Sequence, residues 1–187
     1  MSLETLLQAA RKGAEGKGLP PVENWHPENC ANTHMQILQN GTWLHEGQPI
    51  TRPSMVKLFS TILRKDETGE TWLVTPVEKV EVQVDVAPFV AGLVDRHITD
   101  GGPDLYFTTN VGDVVRADAA HPLRIETDPE TLEPQPFVLV RGRLEALLGR
   151  AVFYQLVEWA EERNGQLGIV SHGQFFPLGP MGAHVIE

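Results

Sequence analysis

Arg141 and Arg143 stand two apart in a segment, 137–144, whose apolar and β-branched residues predict a strand. Side chains two apart on a strand share a face, about 7 Å from one another, and Phe137 and Leu139 share it with them. Paired guanidinium groups beside apolar side chains suit a phosphate or carboxylate, held by bidentate charge-assisted hydrogen bonds. Two exposed arginines at a strand end can equally pair with neighbouring acids. Glu78 and Lys79, just after Thr75-Pro76, have the pattern of a bulge or loop beside a strand. If Glu78 faces inward its carboxylate must be paired or protonated, and Arg52, Arg141 and Arg143 are the cations to expect. A surface Glu and Lys flanking an ordinary irregularity is the simpler alternative.

Asn110 to Asp113 could offer backbone N–H groups and an amide to a ligand, although hairpin-turn chemistry explains the same residues. Trp43 and Trp72 could stack on a base, or serve as core and sheet-face aromatics. His26, Cys30 and His34 fall four apart, but Pro27, Asn29 and Asn32 oppose a helix that would align them for a metal. Ser171-His172-Gly173 lacks the G-x-S-x-G frame of a nucleophile elbow. Neither a dinucleotide fingerprint nor a P-loop is present. No catalytic residue, metal ligand or cofactor is therefore assigned.

The elements that must position these residues follow from periodicity. Residues 3–15 predict an amphipathic helix, followed by the loop 16–21. Asn40-Gly41 predicts a type I′ hairpin turn between strands at 34–39 and from 42. Pro53 opens a helix whose apolar face is Met55, Leu58, Phe59, Ile62 and Leu63, with Lys57, Ser60, Thr61 and Arg64 opposite. A strand at 72–75 is disturbed at Pro76. Val80, Val82, Val84 and Val86 then alternate with Glu81, Gln83 and Asp85, a strand covered on one side. Beyond Gly101-Gly102-Pro103, strands are predicted at 105–109, 113–117, 123–127 and 137–144. A helix over 150–163, stopped by Asn164-Gly165, precedes strands at 167–171 and 174–177.

Composition bounds the partners. The chain has 187 residues and a formal net charge of −10, with no Lys/Arg-rich face for phosphate backbones. Bulk nucleic acid is excluded as a partner. No apolar run approaches the roughly 18 residues of a membrane span, and the N-terminus does not have signal-peptide form. With one cysteine, Cys30, a cytoplasmic location is the expectation.

Two segments overlay. Residues 52–59 resemble 150–157, and 69–75 resemble 165–171, each pair an arginine-led helix or a glycine-led strand. An α+β fold with two similar β-rich halves, each closed by a helix, is therefore expected. The divisions are 1–22 (helix and linker), 23–100 and 101–187. A groove between duplicated halves is a common ligand site.

Taken together, Gly-Thr-Trp (41–43), Gly-x-Pro-Ile-x-Arg-Pro (47–53), Leu-Val-Thr-Pro-Val-Glu-Lys (73–79), Thr-Asn-Val-Gly-Asp (109–113), Arg-Gly-Arg-Leu-Glu-Ala-Leu (141–147) and the Ser-x-Gly-x-x-Phe of 171–176 resemble a bacterial domain-of-unknown-function family. The resemblance implies a duplicated β-rich core with a C-terminal half superficially like a pleckstrin-homology domain. It also implies a pocket between the halves for a small anionic, nucleotide-derived ligand, and a signalling role. Arg52, Thr75, Glu78, Lys79, Asn110, Asp113, Arg141 and Arg143 carry over as its ligand-binding residues. A non-catalytic binding protein is favoured over a protein-interaction module, and both over an enzyme with Glu78 as general base.

Overall fold

The computed structural model describes residues 3–13 and 18–180. Predicted features at 14–17 (the end of the first helix and the start of its loop) and beyond 180 lie outside the described residues. The chain divides into two compact units, Met1–Pro88 with Gly142–Leu144, and Phe89–Arg141 with Glu145–Glu187. Both are β-rich with few helices, so the α+β class holds. The boundary differs from the expected break at 100/101. Strand β7 (Phe89–Thr99) pairs with β8 (Gly102–Thr109) along its length, so it belongs to the second sheet.

In the first unit, α1 (Leu3–Gly13) packs against α2 (Pro53–Thr61). The sheet contains β1 (Asn29–Ile37), β2 (Trp43–His45), β3 (Gln48–Pro49), β4 (Leu63–Lys65), β5 (Thr71–Val74) and β6 (Glu78–Val84). Their order is β3-β2-β1-β6-β5-β4, with β1 and β6 parallel. Valines 80 and 82 are buried and Glu81 and Gln83 exposed, as the alternation predicts. The β1–β2 hairpin departs from its predicted turn: Gly41 has φ +85° but Asn40 is not in the left-handed region, whereas type I′ needs both. Asn40 Oδ1 instead accepts the Thr42 N–H at 2.9 Å.

Helix α2 is shorter than its apolar spacing suggests. Pro53 sits in its first turn as expected, but the helix stops at Thr61 and Leu63 pairs with Leu73 in β4–β5. Ile62 and Leu63 are still core residues, buried from the helix cap and from a strand rather than from a continuing helix face. A short apolar run serves either period, and pairing with β5 decides between them. Trp43, Phe59, Ile62 and Leu73 are among the fully buried side chains of this unit.

The second unit repeats the strand plan. With β9 (Val114–Arg116), β10 (Leu123–Thr127), β11 (Pro134–Arg141) and β12 (Leu144–Leu148), its order from the other edge is β9-β8-β7-β12-β11-β10. Adding six to each strand number of the first sheet reproduces it, and β7 and β12 are parallel as β1 and β6 are. Helix placement does not follow this rule. Helix α2 lies between β3 and β4, whereas α3 (Arg150–Glu158) follows β12. The sequence overlay of 52–59 on 150–157 therefore pairs helices at different places in the two sheet plans.

Helix α3 also ends before its predicted limit of 163. Glu161–Arg163 is a strand, β13, and Asn164-Gly165 (φ +53° and +76°) is the turn to β14 (Gln166–Ser171), not a helix stop. Strand β15 (Gln174–Pro180) completes a three-stranded sheet. Buried Ser171 ties that sheet to the larger one. Its Oγ donates to Ala117 O at 2.7 Å and accepts the Leu105 N–H at 2.9 Å. Among the described residues, no helix is long and apolar enough to cross a membrane.

Candidate functional site

The predicted strand over 137–144 is two strands. β11 ends at Arg141, Gly142 takes φ +53°, and Arg143 lies in the turn before β12. The two arginines are therefore not same-face neighbours, because a turn removes the two-residue periodicity on which that expectation rested. Gly142 is the residue that signalled it. Each guanidinium has its own carboxylate. Arg143 Nη2 donates to Glu67 Oε1 at 2.8 Å within the first unit. In the second unit, Arg141 Nη1 donates to Asp113 Oδ2 at 2.5 Å, and the guanidinium lies over Phe89, 5.0 Å from the ring centroid.

Asn110 and Asp113 close the β8–β9 turn. The Asn110 N–H donates to Val90 O at 2.8 Å and its Oδ1 accepts the Val90 N–H at 3.0 Å. The amide thus supplies Val90 with a ladder partner beside the irregularity between Ala91 and Leu93. The Asp113 N–H donates to Thr109 Oγ1 at 3.0 Å, and its carbonyl accepts from the Thr109 N–H at 2.8 Å.

Thr75 is fully buried. Its Oγ1 donates to Glu78 O at 2.9 Å and accepts the Glu78 N–H at 3.2 Å, bracing the β5–β6 turn. Glu78 is half-buried at the start of β6, on the same side by parity as Val80 and Val82. Lys79 Nζ lies 3.9 Å from the Trp72 ring centroid. Trp43 is 1% exposed and packs on Phe59, so it has no face for a base. Of the eight expected ligand residues, Arg52, Thr75, Glu78, Lys79 and Arg143 fall in the first unit and Asn110, Asp113 and Arg141 in the second.

Arg52 differs from the other arginines of this set. It caps α2 from an extended conformation, its carbonyl accepting the Met55 and Val56 N–H groups. Its side chain lines a cavity of about 320 Å³ with Ser54, Met55 and Leu58 of α2 and Leu7 and Arg11 of α1. Among the described residues neither Arg11 nor Arg52 is paired with a carboxylate. Two guanidiniums on one concavity, neither with a carboxylate partner among the described residues, favour an anion between them. Sequence reasoning missed Arg11, which has no motif around it. Its available signal was the four-residue step from Leu7, which puts both on one helix face.

A second polar cluster also went unread. In the second unit, buried Asp104 accepts at Oδ1 from His172 Nδ1 (3.2 Å) and lies 3.6 Å from Arg116. Arg116 also donates to Asp118 at 3.2 and 3.3 Å. Hydrogen bonding to Asp118 holds the Arg116 pKa above its ordinary value, with the Asp104 charge adding to it. Burial pushes Asp118 up, but the Ala120 N–H, Arg116 and the His121 N–H outweigh it and hold Asp118 low. Four residues from β8, β9 and two turns make this cluster, and only Arg116 and Asp118, two apart, are neighbours in sequence.

The comparisons agree with this two-unit plan. Residues 20–87 match the model of a domain of unknown function (DUF1285), N-terminal domain. Residues 88–178 match protein of unknown function (DUF1285), C-terminal domain. The chain belongs to the DUF1285 family. A crystal structure of a DUF1285 family protein from Silicibacter pomeroyi DSS-3 is similar at 45% identity and TM-score 0.85, covering 94% of this chain and 95% of that one. One from Shewanella baltica OS155 is similar at 27% identity and TM-score 0.52, covering 66% of this chain and 90% of that one. No curated protein matches. Leu7 and Arg11 lie outside the residues matched by the family models.

Proposed function

We propose that this protein binds a small anionic molecule in the α1–α2 cavity of its first unit, as a sensor rather than an enzyme. The observation that carries this reading is the pair Arg11 and Arg52, which line one cavity with no carboxylate paired to either among the described residues. Arg141 and Arg143, the arginines singled out first by spacing, are already neutralised by Asp113 and Glu67. Charge-assisted hydrogen bonds contribute about 1.5–3 kcal/mol each, so one from each arginine supports dissociation constants from about 40 μM to about 6 mM. A nucleotide-derived ligand meets the requirement through its phosphate. The pleckstrin-homology likeness of the second half carries no weight here, since three strands follow α3.

Calorimetry with phosphate, short carboxylates and nucleoside monophosphates tests the reading. Saturable binding is expected, weakened about tenfold or more by Arg52→Ala and by Arg11→Ala. If no anion binds at millimolar concentration, or if neither change weakens binding, the site is not there.

A further inference from the structure

The cavity that holds Arg11 and Arg52 is lined by two chemically different sets of side chains. Arg11, Arg52 and Ser54 supply guanidinium groups and a hydroxyl, while Leu7, Met55 and Leu58 supply only aliphatic and thioether surface. Leu7 is buried, Met55 and Leu58 are half-buried, and Arg11, Arg52 and Ser54 are exposed. The polar groups are thus the accessible ones and the apolar groups the sheltered ones. A volume of about 320 Å³ is that of about ten waters, and it lies at the lower end of the range of small-molecule sites. An inorganic phosphate would meet the arginines and leave the apolar wall wet.

Resting on the proposed anion site, we infer that the ligand is an amphiphilic anion: a phosphate monoester or carboxylate carrying a short aliphatic or similarly apolar body. The head group engages Arg11 and Arg52 and the body covers Leu7, Met55 and Leu58. Burying one methylene is worth about a fourfold gain in affinity where the wall is dry and well packed. Thioether side chains suit this task, because methionine adapts its shape to irregular apolar partners. A nucleoside monophosphate presents a polar ribose next to its phosphate, so it satisfies the arginines without covering this wall.

The decisive experiment is calorimetry of the full chain with a homologous series of inorganic phosphate, ethyl, butyl and hexyl phosphate, below micellar concentrations. Acetate, butanoate and hexanoate form a parallel series. Affinity is expected to rise about two- to fourfold per methylene and then level off once the cavity is full. Met55→Gln should flatten that slope, and Arg52→Ala should weaken every member alike. Equal affinities for phosphate and hexyl phosphate would overturn the amphiphile and leave the anion site standing. Failure of every anion would remove the anion site as well. Co-sedimentation with vesicles containing phosphatidic acid separates the sources of such a head group. Capture on vesicles without binding of soluble butyl phosphate would overturn a cavity-bound ligand in favour of a lipid surface.

Discussion

Arg141 donates to Asp113 at 2.5 Å across 28 residues of sequence, joining the end of β11 to the β8–β9 turn, and Phe89 lies beneath the guanidinium. Both side chains are more than two-thirds shielded from solvent. This makes Arg141 a fold-holding residue of the second unit. Arg141→Ala and Asp113→Ala should each destabilise by about 1 kcal/mol in chemical denaturation. The double variant should lose less than the sum, by about 0.5 kcal/mol or more, because the residues are in contact. Anion affinity should stay within about twofold of the parent in Arg141→Ala. A tenfold loss there would return Arg141 to the ligand site.

Asp118 gives the second unit a dependence on acid. Its Oδ1 accepts the Ala120 and His121 N–H groups at 2.9 and 3.0 Å, and Oδ2 accepts from Arg116. These bonds favour the carboxylate and outweigh burial, so the folded pKa lies below the ordinary 3.8. A depressed carboxyl contributes stability that is complete above the unfolded pKa and is lost as pH falls through the folded one. The stability difference between the parent and Asp118→Ala should therefore be constant from pH 7 to 5 and shrink below pH 4. Urea titrations at pH 7, 5 and 3 check this. A difference that widens on acidification would reverse the sign.

What the sequence disclosed and what it concealed divide along one physical line. Local periodicity showed the valine alternation of β6, Pro53 at the start of α2, and most second-half strands, because burial on one face leaves a direct trace in residue order. It failed where a few residues serve either structure. Leu63 to Lys65 and Glu161 to Arg163 continue a helical pattern on paper, yet each is a strand because an adjacent strand offers it backbone partners. Gly142 split the predicted arginine strand and, with it, the expected ligand pair. Thr75 and Asn110 looked like ligand residues because turn-bracing and ligand-binding call on the same polar side chains. Arg11 and the Asp104 cluster came only with tertiary structure: the step from Leu7 places Arg11 on a helix face, but nothing local distinguishes an arginine on a cavity from one in solvent.

Arg64 is the sharpest instance and the most exacting to test. Helical spacing put it on the solvent side of α2, but its residue is 8% exposed in β4. Nη1 donates to Val22 O at 2.8 Å and to Trp25 O at 2.7 Å, and Nε donates to Asp66 at 2.8 Å. One guanidinium thus holds both carbonyls at the 3-10 turn Val22–Asn24 and its exit, and carries its own counter-charge. Arg64→Met keeps much of the stem but leaves Trp25 O and the Asp66 carboxylate without their partner, and Val22 O with the Trp25 N–H alone, at a cost of about 3 kcal/mol. Arg64→Lys should recover less than half, because a single ammonium cannot reproduce the planar fork that reaches Asp66 and the carbonyls together. Denaturation midpoints give the stability, and amide exchange gives the location. Protection should fall first at the Trp25 N–H, which donates to Val22 O at 3.2 Å. If Arg64→Lys is as stable as the parent, the fork is not what secures that turn, and charge alone suffices.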